Sequence, residues 1–234
     1  MKDKIMSQNG PPSGSRPLAV RVKTANRRSA ASTRWLERQL NDPYVAEAKR
    51  LQYRSRAAFK LIQLDDRFRL LAPGRRVVDL GAAPGGWTQI AVERVRAPSA
   101  GRVVGLDILE IDPIPGSTLL QADFMDEDTP KKLCAILDGP ADIVLSDMAA
   151  PSTGHARTDH LRIMALAETA HLFAQEALSP GGSFVCKLFQ GGAERDLLNA
   201  LRLNFATVRH AKPPASRSDS SETYIVATGF RKAR

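Results

Sequence analysis

Four charged side chains lie in apolar or strand-like stretches of the chain, and they are Lys60, Asp147, Lys187 and Glu222. A lysine within a hydrophobic run such as FVCKLF is costly unless it is paired or borders a cleft. Taken singly, each has a structural explanation, because lysines can extend their amines to solvent and Glu222 could protect a sheet edge. Taken together, two amines and two carboxylates are candidates for catalysis.

A glycine-rich bend follows a short apolar run in the segment DLGAAPGGWTQ, residues 79–89. One glycine is enough for an ordinary turn. Three within six residues, at Gly81, Gly85 and Gly86, predict a backbone left bare for a ligand. A dinucleotide site would have the motif GxGxxG, whose second glycine is absent after Gly81. This argues against a nicotinamide-dependent oxidoreductase.

Carboxylates end the next two strand-like runs, at Asp107 and at Asp123. Ligands of parallel sheets bind at the carboxyl ends of the strands. We therefore expect Asp107 to accept hydrogen bonds from a ribose, and Asp123 with Phe124 to hold an adenine. The bare Gly85-Gly86 edge suits an amino-acid group without phosphates. These features together indicate S-adenosylmethionine as the cofactor.

From residue 76 onward, short β-rich runs alternate with helical stretches. Strands are predicted at 76–80, 102–107, 118–122, 142–147, 182–189, 206–211 and 223–230. Helices are predicted near 87–95, 129–137, 157–178 and 193–203, and before the sheet from Asp42-Pro43 and over about 56–67. This alternation predicts an α/β, Rossmann-like fold with a mostly parallel seven-stranded sheet and helices on both faces.

Positive charge is concentrated near the N-terminus. Residues 1–60 contain 14 Lys or Arg and 4 Asp or Glu, a net charge of +10, whereas residues 61–234 contain 20 and 21, a net charge of −1. Residues 1–32 lack hydrophobic periodicity and are predicted to form a basic, disordered arm. Such an arm points to a polyanion, commonly a phosphate backbone, although a solubilising tail is the alternative.

Other classes of protein are disfavoured by what the sequence lacks. No apolar run is long enough to span a membrane, and no secretory signal is recognisable. Cys134 and Cys186 lie far apart, and the four histidines have no metal-ligand spacing. We therefore expect a cytoplasmic protein without a metal site, and, in the absence of an oligomer signal, a monomer.

Several segments resemble the FtsJ/RrmJ ribosomal RNA ribose 2′-O-methyltransferases, and the resemblance runs from about Arg28 to the C-terminus. The segments are SAASTRWLERQLNDPYV, YRSRAAFKLIQLDDRF, VVDLGAAPGGWTQ, IDPIPG, LQADF, DIVLSDMA, LSPGGSFVCKLFQG and SSETYIVATGF. The resemblance implies a catalytic tetrad at Lys60, Asp147, Lys187 and Glu222. It also implies cofactor contacts at Gly85, Trp87, Asp107, Asp123 and Asp147.

The family further implies methylation of the ribose 2′-hydroxyl of a uridine in the A loop of 23S ribosomal RNA, within the large ribosomal subunit. Lys187 would accept or steer the hydroxyl proton, or stay charged and orient the oxygen. Lys60 would position the hydroxyl, and Glu222 would orient Lys60 or the RNA backbone. A relative acting on transfer RNA or a messenger cap, and a non-catalytic assembly factor, are the alternatives.

The resemblance divides residues 33–234, the methyltransferase domain, into a helical RNA-binding part at 33–75 and a catalytic core at 76–234. RNA contacts are predicted for the arm and for Arg27, Arg28, Arg34, Lys49, Arg50, Arg54 and Arg56. Trp35, Tyr44 and Tyr53 could stack on bases, although such aromatics more often anchor a helix. One departure is that the family's Met-Ala-Pro-Asn reads Met-Ala-Ala-Pro at residues 148–151, in a loop expected to border the target nucleotide.

Overall fold

The computed structural model describes residues 20–151, 153–189 and 194–232. Within these ranges, one sheet contains the strands β1 Arg76–Leu80, β2 Arg102–Asp107, β3 Ser117–Gln121, β4 Ala141–Ser146, β5 Leu178–Phe189, β6 Phe205–Ala211 and β7 Glu222–Phe230. The helices are α1 Ala30–Leu40, α2 Pro43–Arg50, α3 Ala57–Phe68, α4 Gly86–Val95, α5 Thr129–Leu137, α6 Ala156–Ala177 and α7 Arg195–Asn204. All seven predicted strands are therefore present.

The sheet has the strand order β3-β2-β1-β4-β5-β7-β6. The pairs from β3 to β5 are parallel, and β7 runs antiparallel to both of its neighbours. The chain builds outward from β1 to β3 and then returns to place β4 on the other side of β1. This reversal opens a crevice at the carboxyl ends of β1 and β4, where ligands of such sheets bind. The predicted fold class is confirmed.

Successive residues of the central strands alternate between two hydrophobic cores, one on each face of the sheet. Val78, Val144 and Phe184 are buried with residues of α5, α6 and α7. Val77 and Val185 point to the opposite face and are buried with residues of α3 and α4. Because α3 packs on this second face, the helix that carries Lys60 lies against the strands that carry Lys187 and Glu222.

One strand differs from its predicted bounds by more than one residue. β5 begins at Leu178, four residues before the predicted start at 182, and α6 ends at Ala177. Leu178 pairs with Ala141 of β4, and the register then shifts before Ser183 pairs with Ile143. The intervening Ser-Pro-Gly-Gly has the composition of a turn, so sequence alone indicates a loop where the structure has an irregular strand.

Two helices of the N-terminal segment begin at polar residues whose side chains cap them. Asp42 accepts a hydrogen bond from the Tyr44 N–H at 3.0 Å and caps α2, as predicted. Ser29 caps α1 by accepting from the Ser32 N–H at 3.2 Å. Helix α1 has no counterpart among the predicted helices, and it begins inside the segment predicted to be disordered. Of that segment, residues 1–19 lie outside the described residues.

Candidate active site

The four candidate catalytic side chains form two ion pairs at the carboxyl edge of the sheet. Lys60 Nζ lies 2.7 Å from Glu222 Oε1, and Lys187 Nζ lies 3.0 Å from Asp147 Oδ1. Lys187 also donates to the backbone carbonyl of Asp147 at 2.5 Å. Each of the four side chains is at most 16% exposed, so both pairs are largely shielded from water. Chain segments far apart in sequence thus converge as the tetrad prediction requires.

Strand pairing explains why Asp147 and Lys187 meet. β4 and β5 are parallel neighbours with Ser146 opposite Cys186, so the next residue of each strand lies at the same edge. The Asp147 N–H also donates to the Leu80 carbonyl at 3.1 Å, which fixes this aspartate at the end of β1. The position of the Asp147–Lys187 pair is therefore set by the sheet itself.

Tyr224 links the two ion pairs, and sequence reasoning missed it. Its hydroxyl donates to Asp147 Oδ1 at 2.8 Å, and Lys60 Nζ lies 5.8 Å from its ring centroid. Burial, followed by the nearby carboxylates of Asp147 and Glu222, raises the pKa of this phenol well above its usual value. Tyr224 therefore stays protonated. The available signal was its place two residues after Glu222, on the same face of a strand.

The loop between β6 and β7 supports Glu222 from the other side. Ser216 Oγ donates to Glu222 Oε1 at 2.8 Å. The same loop is attached to α3, because the Ala215 N–H donates to Gln63 Oε1 at 2.7 Å and Arg56 donates to the Ala215 carbonyl at 2.5 Å. Glu222 is thus held between the helix that carries Lys60 and a loop fastened to that helix.

A cavity of about 380 Å³ opens beside the tetrad, at the ends of β1 to β4. This volume lies in the range of small-molecule sites. Its walls are mainly apolar, and they include Gly81, Leu106, Asp107, Ile108, Asp123, Phe124, Met125, Met148, Ala149, Ala150, Pro151 and Arg162. Three of the predicted cofactor residues, Gly81, Asp107 and Asp123, lie in its lining. The loop that departs from the family pattern also lines it.

The two cavity carboxylates are held by backbone N–H groups. Asp107 accepts from the N–H groups of Ala83 and Leu109, each at 2.9 Å, and Asp123 accepts from Met125 at 2.9 Å. In the described ranges, neither carboxylate has a lysine or arginine within ion-pair distance. Each still has lone pairs for a ligand's hydroxyl or amino groups. Across the same ranges, no group of three His, Cys, Asp or Glu side chains is arranged to hold a metal ion.

The glycine bend packs closely against the protein itself. A Cβ added at Gly85 would lie 2.5 Å from Ile114 Cδ1 and 2.9 Å from Arg54 Cδ, and one at Gly81 would lie 2.8 Å from Met148. Gly86 approaches Ser55 in the same way. These glycines therefore serve close packing of the bend, whatever further contact a ligand makes with its backbone.

Trp87 is buried behind the bend rather than in the cavity lining. Its indole N–H donates to the Ala57 carbonyl at 2.9 Å, and its ring centroid lies 5.6 Å from that of Tyr224. A cofactor contact at Trp87, like those at Gly81, Gly85, Gly86, Asp107, Asp123 and Asp147, stays a prediction.

Some of the residues predicted to bind RNA are exposed, whereas others contact the rest of the protein. Arg27, Arg34 and Lys49 are exposed. The Arg56 guanidinium instead pairs with Asp42 at 3.0 Å and is mostly buried. Arg54 also contacts other parts of the protein.

The aromatic residues among these positions anchor the helices where their side chains are described. The rings of Tyr44 and Tyr53 pack on Phe59, with centroids 5.3 and 5.7 Å from its own. The Trp35 side chain lies outside what the structure describes.

Residues 53–230 match the model of the FtsJ-like methyltransferase family. A protein of Paramagnetospirillum magneticum named ribosomal RNA large subunit methyltransferase E is 67% identical over 226 residues, covering 95% of this chain and 93% of its own. One of the same name from Rhodospirillum rubrum is 64% identical, covering 94% and 84%.

A solved structure with a similar fold comes from Plasmodium falciparum, and that protein is described as a ribosomal RNA methyltransferase. It superposes with a TM-score of 0.69 at 31% identity, covering 78% of this chain and 100% of that one. Across the described part of this chain, no helix has both the length and the apolar character needed to cross a membrane. From the family match and the identity to these relatives, the chain belongs to the FtsJ-like methyltransferase family.

Proposed function

We propose that this protein transfers a methyl group from S-adenosylmethionine to the ribose 2′-hydroxyl of a uridine in the A loop of 23S ribosomal RNA, within the large ribosomal subunit. The observation that carries the proposal is the pair of lysine–carboxylate contacts, joined through Tyr224 and set beside a cavity lined by two carboxylates that have no cation partner among the described residues. The name shared by the bacterial relatives supports the choice of RNA. The proposed enzyme acts as a monomer in the cytoplasm.

The cavity has the chemistry that this cofactor requires. Asp107 can accept hydrogen bonds from ribose hydroxyls, and Asp123 can accept one from an adenine amino group. Phe124 and the other apolar lining residues can cover the adenine ring. When bound, the cofactor supplies a methyl group on a positively charged sulfur, and that methyl carbon is already strongly electrophilic. The protein's task is then alignment, exclusion of water and management of one proton.

Lys187 is placed to align the attacking oxygen. An ammonium has three N–H groups, and two of them are used by the Asp147 carboxylate and carbonyl. The third is left for the 2′-oxygen, where it would orient a lone pair toward the methyl group. The hydroxyl becomes strongly acidic as the new carbon–oxygen bond forms, and its proton would then pass to water. Tyr224 holds the Asp147 carboxylate, so that Lys187 keeps one direction.

Lys60 and Glu222 would position the ribose from the other side. Glu222 receives hydrogen bonds from both Lys60 and Ser216, which fixes the Lys60 amine near the ring of Tyr224. The loop at 149–151 lines the neighbouring cavity, where the cofactor would meet the target nucleotide. Exposed basic residues such as Arg27, Arg34 and Lys49 would contact RNA phosphates, giving affinity without sequence readout.

The proposal is tested by supplying labelled S-adenosylmethionine with large ribosomal subunits, naked 23S RNA or bulk transfer RNA. We expect label in the large subunit, mapped by nuclease digestion and mass spectrometry to the 2′-oxygen of an A-loop uridine. Lys187→Ala protein is the matched control for contaminating activity. Label confined to transfer RNA would replace the proposed substrate, and subunit binding without any label would favour an assembly factor.

A further inference from the structure

Arg54 lies in the turn between α2 and α3, and its guanidinium contacts two loops next to the cavity. Nη1 donates to the Asp112 carbonyl at 2.6 Å, and Nη2 donates to the Pro113 carbonyl at 2.7 Å. Nη1 also lies 3.4 Å from the Pro84 carbonyl. The Arg54 backbone N–H donates to Gln89 Oε1 of α4 at 2.8 Å. Both ends of this residue therefore attach the N-terminal segment to the catalytic core.

The carbonyls that Arg54 contacts belong to two chain segments that each contribute other residues to the cavity lining, Gly81 in the first segment and Asp107 with Ile108 in the second. Pro84 is part of the glycine bend, whereas Asp112 and Pro113 follow Asp107 in the loop between β2 and β3. The bend is also tied to Asp107, which accepts from the N–H of Ala83. Neighbouring residues of the bend are thus fastened on one side to Asp107 and on the other to Arg54.

The chemistry of these contacts requires arginine. A planar guanidinium can donate in parallel to two adjacent carbonyls and to a third, which a lysine ammonium cannot match in geometry. In the ranges that the structure describes, no carboxylate lies within ion-pair distance of Arg54, so its charge is met by carbonyl dipoles alone. Gly85 leaves room for the side chain, because a Cβ there would lie 2.9 Å from Arg54 Cδ.

We propose that Arg54 is a positioning residue that holds these two segments of the cofactor cleft in place, so that cofactor affinity depends on it. This role differs from the phosphate contact predicted for Arg54 from its basic surroundings. The inference rests on the proposed function, because it assumes that the cavity binds S-adenosylmethionine.

The test measures the affinity for S-adenosylmethionine by calorimetry, without RNA, for the wild-type protein and for Arg54→Ala, Arg54→Lys and Arg102→Ala. Arg102 is a matched control, because it also donates to a backbone carbonyl, that of Ile136 at 3.0 Å, but at the opposite end of the sheet. We expect Arg54→Ala to bind about tenfold more weakly or worse, Arg54→Lys to lie between, and Arg102→Ala to match the wild type.

Steady-state rates separate this role from a general loss of stability. We expect the KM for the cofactor to rise with the dissociation constant, while kcat at saturating cofactor stays within about twofold of the wild type. If Arg54→Ala binds S-adenosylmethionine within about twofold of the wild type, the inference about Arg54 is wrong and the proposed function is unaffected. If Arg54→Ala does not fold, the same criterion applies to Arg54→Lys. A wild-type protein that binds no S-adenosylmethionine would overturn the proposed function, and this inference with it.

Discussion

Along the carboxyl edge of the sheet, β4, β5 and β7 present lysine–carboxylate pairs, whereas β1 to β3 present carboxylates without a cation. Asp147 and Glu222 each lie within 3.0 Å of a lysine amine. Asp79, Asp107 and Asp123 have no lysine or arginine at that range in the described residues. In the first region each carboxylate is paired with a lysine of the protein, while the second region borders a cavity. Under the proposed function, the first region would position the reacting group and the second would receive the cofactor.

The two regions also differ in the free-energy cost of burying their carboxylates. The Tyr224 phenol and the Lys187 amine both contact the Asp147 carboxylate, and these contacts offset the cost of burying its charge. Asp79 is fully buried and receives one side-chain bond, from Thr88 Oγ1 at 2.6 Å, while its Oδ1 accepts none from the described part of the chain. Burial, with Asp147 and Asp107 nearby, raises the pKa of Asp79 to about 7.

Removing the amine of the paired region is expected to have the largest effect on the rate. Lys187→Ala should lower kcat about a hundredfold to ten-thousandfold, the usual range for a group that handles a proton or orients the nucleophile. Cofactor affinity, measured by calorimetry, should stay within about threefold, because Lys187 lies outside the cavity lining. Lys132→Ala, an exposed lysine of α5, is the charge-matched control. A loss of less than about tenfold in kcat would remove Lys187 from the chemical step.

A change among the carboxylates of β1 to β3 should weaken cofactor binding and leave kcat nearly unchanged. Asp107→Ala removes both the expected ribose acceptor and the tie to the Ala83 N–H. We expect cofactor affinity to fall about tenfold to a hundredfold, with kcat at saturating cofactor within about threefold. Both constants come from one series of initial rates at varied cofactor. A fall in kcat at unchanged KM would show that the two regions do not divide binding and chemistry in this way.

The local part of this architecture could be predicted from sequence. β1 and β2 have the predicted bounds, because each is a short apolar run bounded by turn residues or charges. The rule for parallel sheets correctly placed Asp107, at the end of β2, and Asp123, just after β3, at the same edge of the sheet. Convergence of Lys60 and Glu222 came from the family resemblance, since 162 residues separate them and no local pattern connects them.

The part that sequence could not provide depends on contacts between distant segments. The contact of Tyr224 with Asp147 follows from the register that pairs Tyr224 with Lys187, which only the folded sheet defines. Arg54 stands in a basic segment and was expected to face RNA, but its partners are carbonyls 30 to 59 residues further along the chain. Composition indicates the charge of such a residue, but it does not indicate which groups the residue contacts in the folded protein.

A smaller effect on the rate is expected at the residue that joins the two ion pairs. Tyr224→Phe removes one donor to Asp147 Oδ1 and leaves the Lys187 contact in place. We expect kcat to fall about threefold to tenfold, as for the loss of one hydrogen bond, with cofactor affinity unchanged. Because Phe keeps the ring, packing against Trp87 should be retained, and the melting temperature checks this. A loss as large as that of Lys187→Ala would make Tyr224 part of the proton chemistry itself.

The smallest effect on rate and the clearest effect on stability are expected at Asp79. Its pKa of about 7 in the folded protein lies above its ordinary value of 3.8, so between these pH values the folded state keeps a proton that the unfolded chain releases. The free energy of unfolding contributed by this group is therefore fully present below about pH 4, and it is lost as the pH rises to about 7. The loss is on the order of 4 kcal/mol at most.

Asp79→Asn should remove this dependence, because an amide does not titrate and can still accept the Thr88 hydrogen bond. Urea unfolding between about pH 5 and 8 should then show a flatter profile than the wild type, with the variant gaining relative stability toward pH 8. Asp138→Asn changes a largely exposed carboxylate and should keep the wild-type slope. Parallel profiles for the wild type and Asp79→Asn would mean that Asp79 is ionised in the folded protein throughout this range. The carboxylate-rich region would then tolerate a buried charge that its lack of cations should make costly.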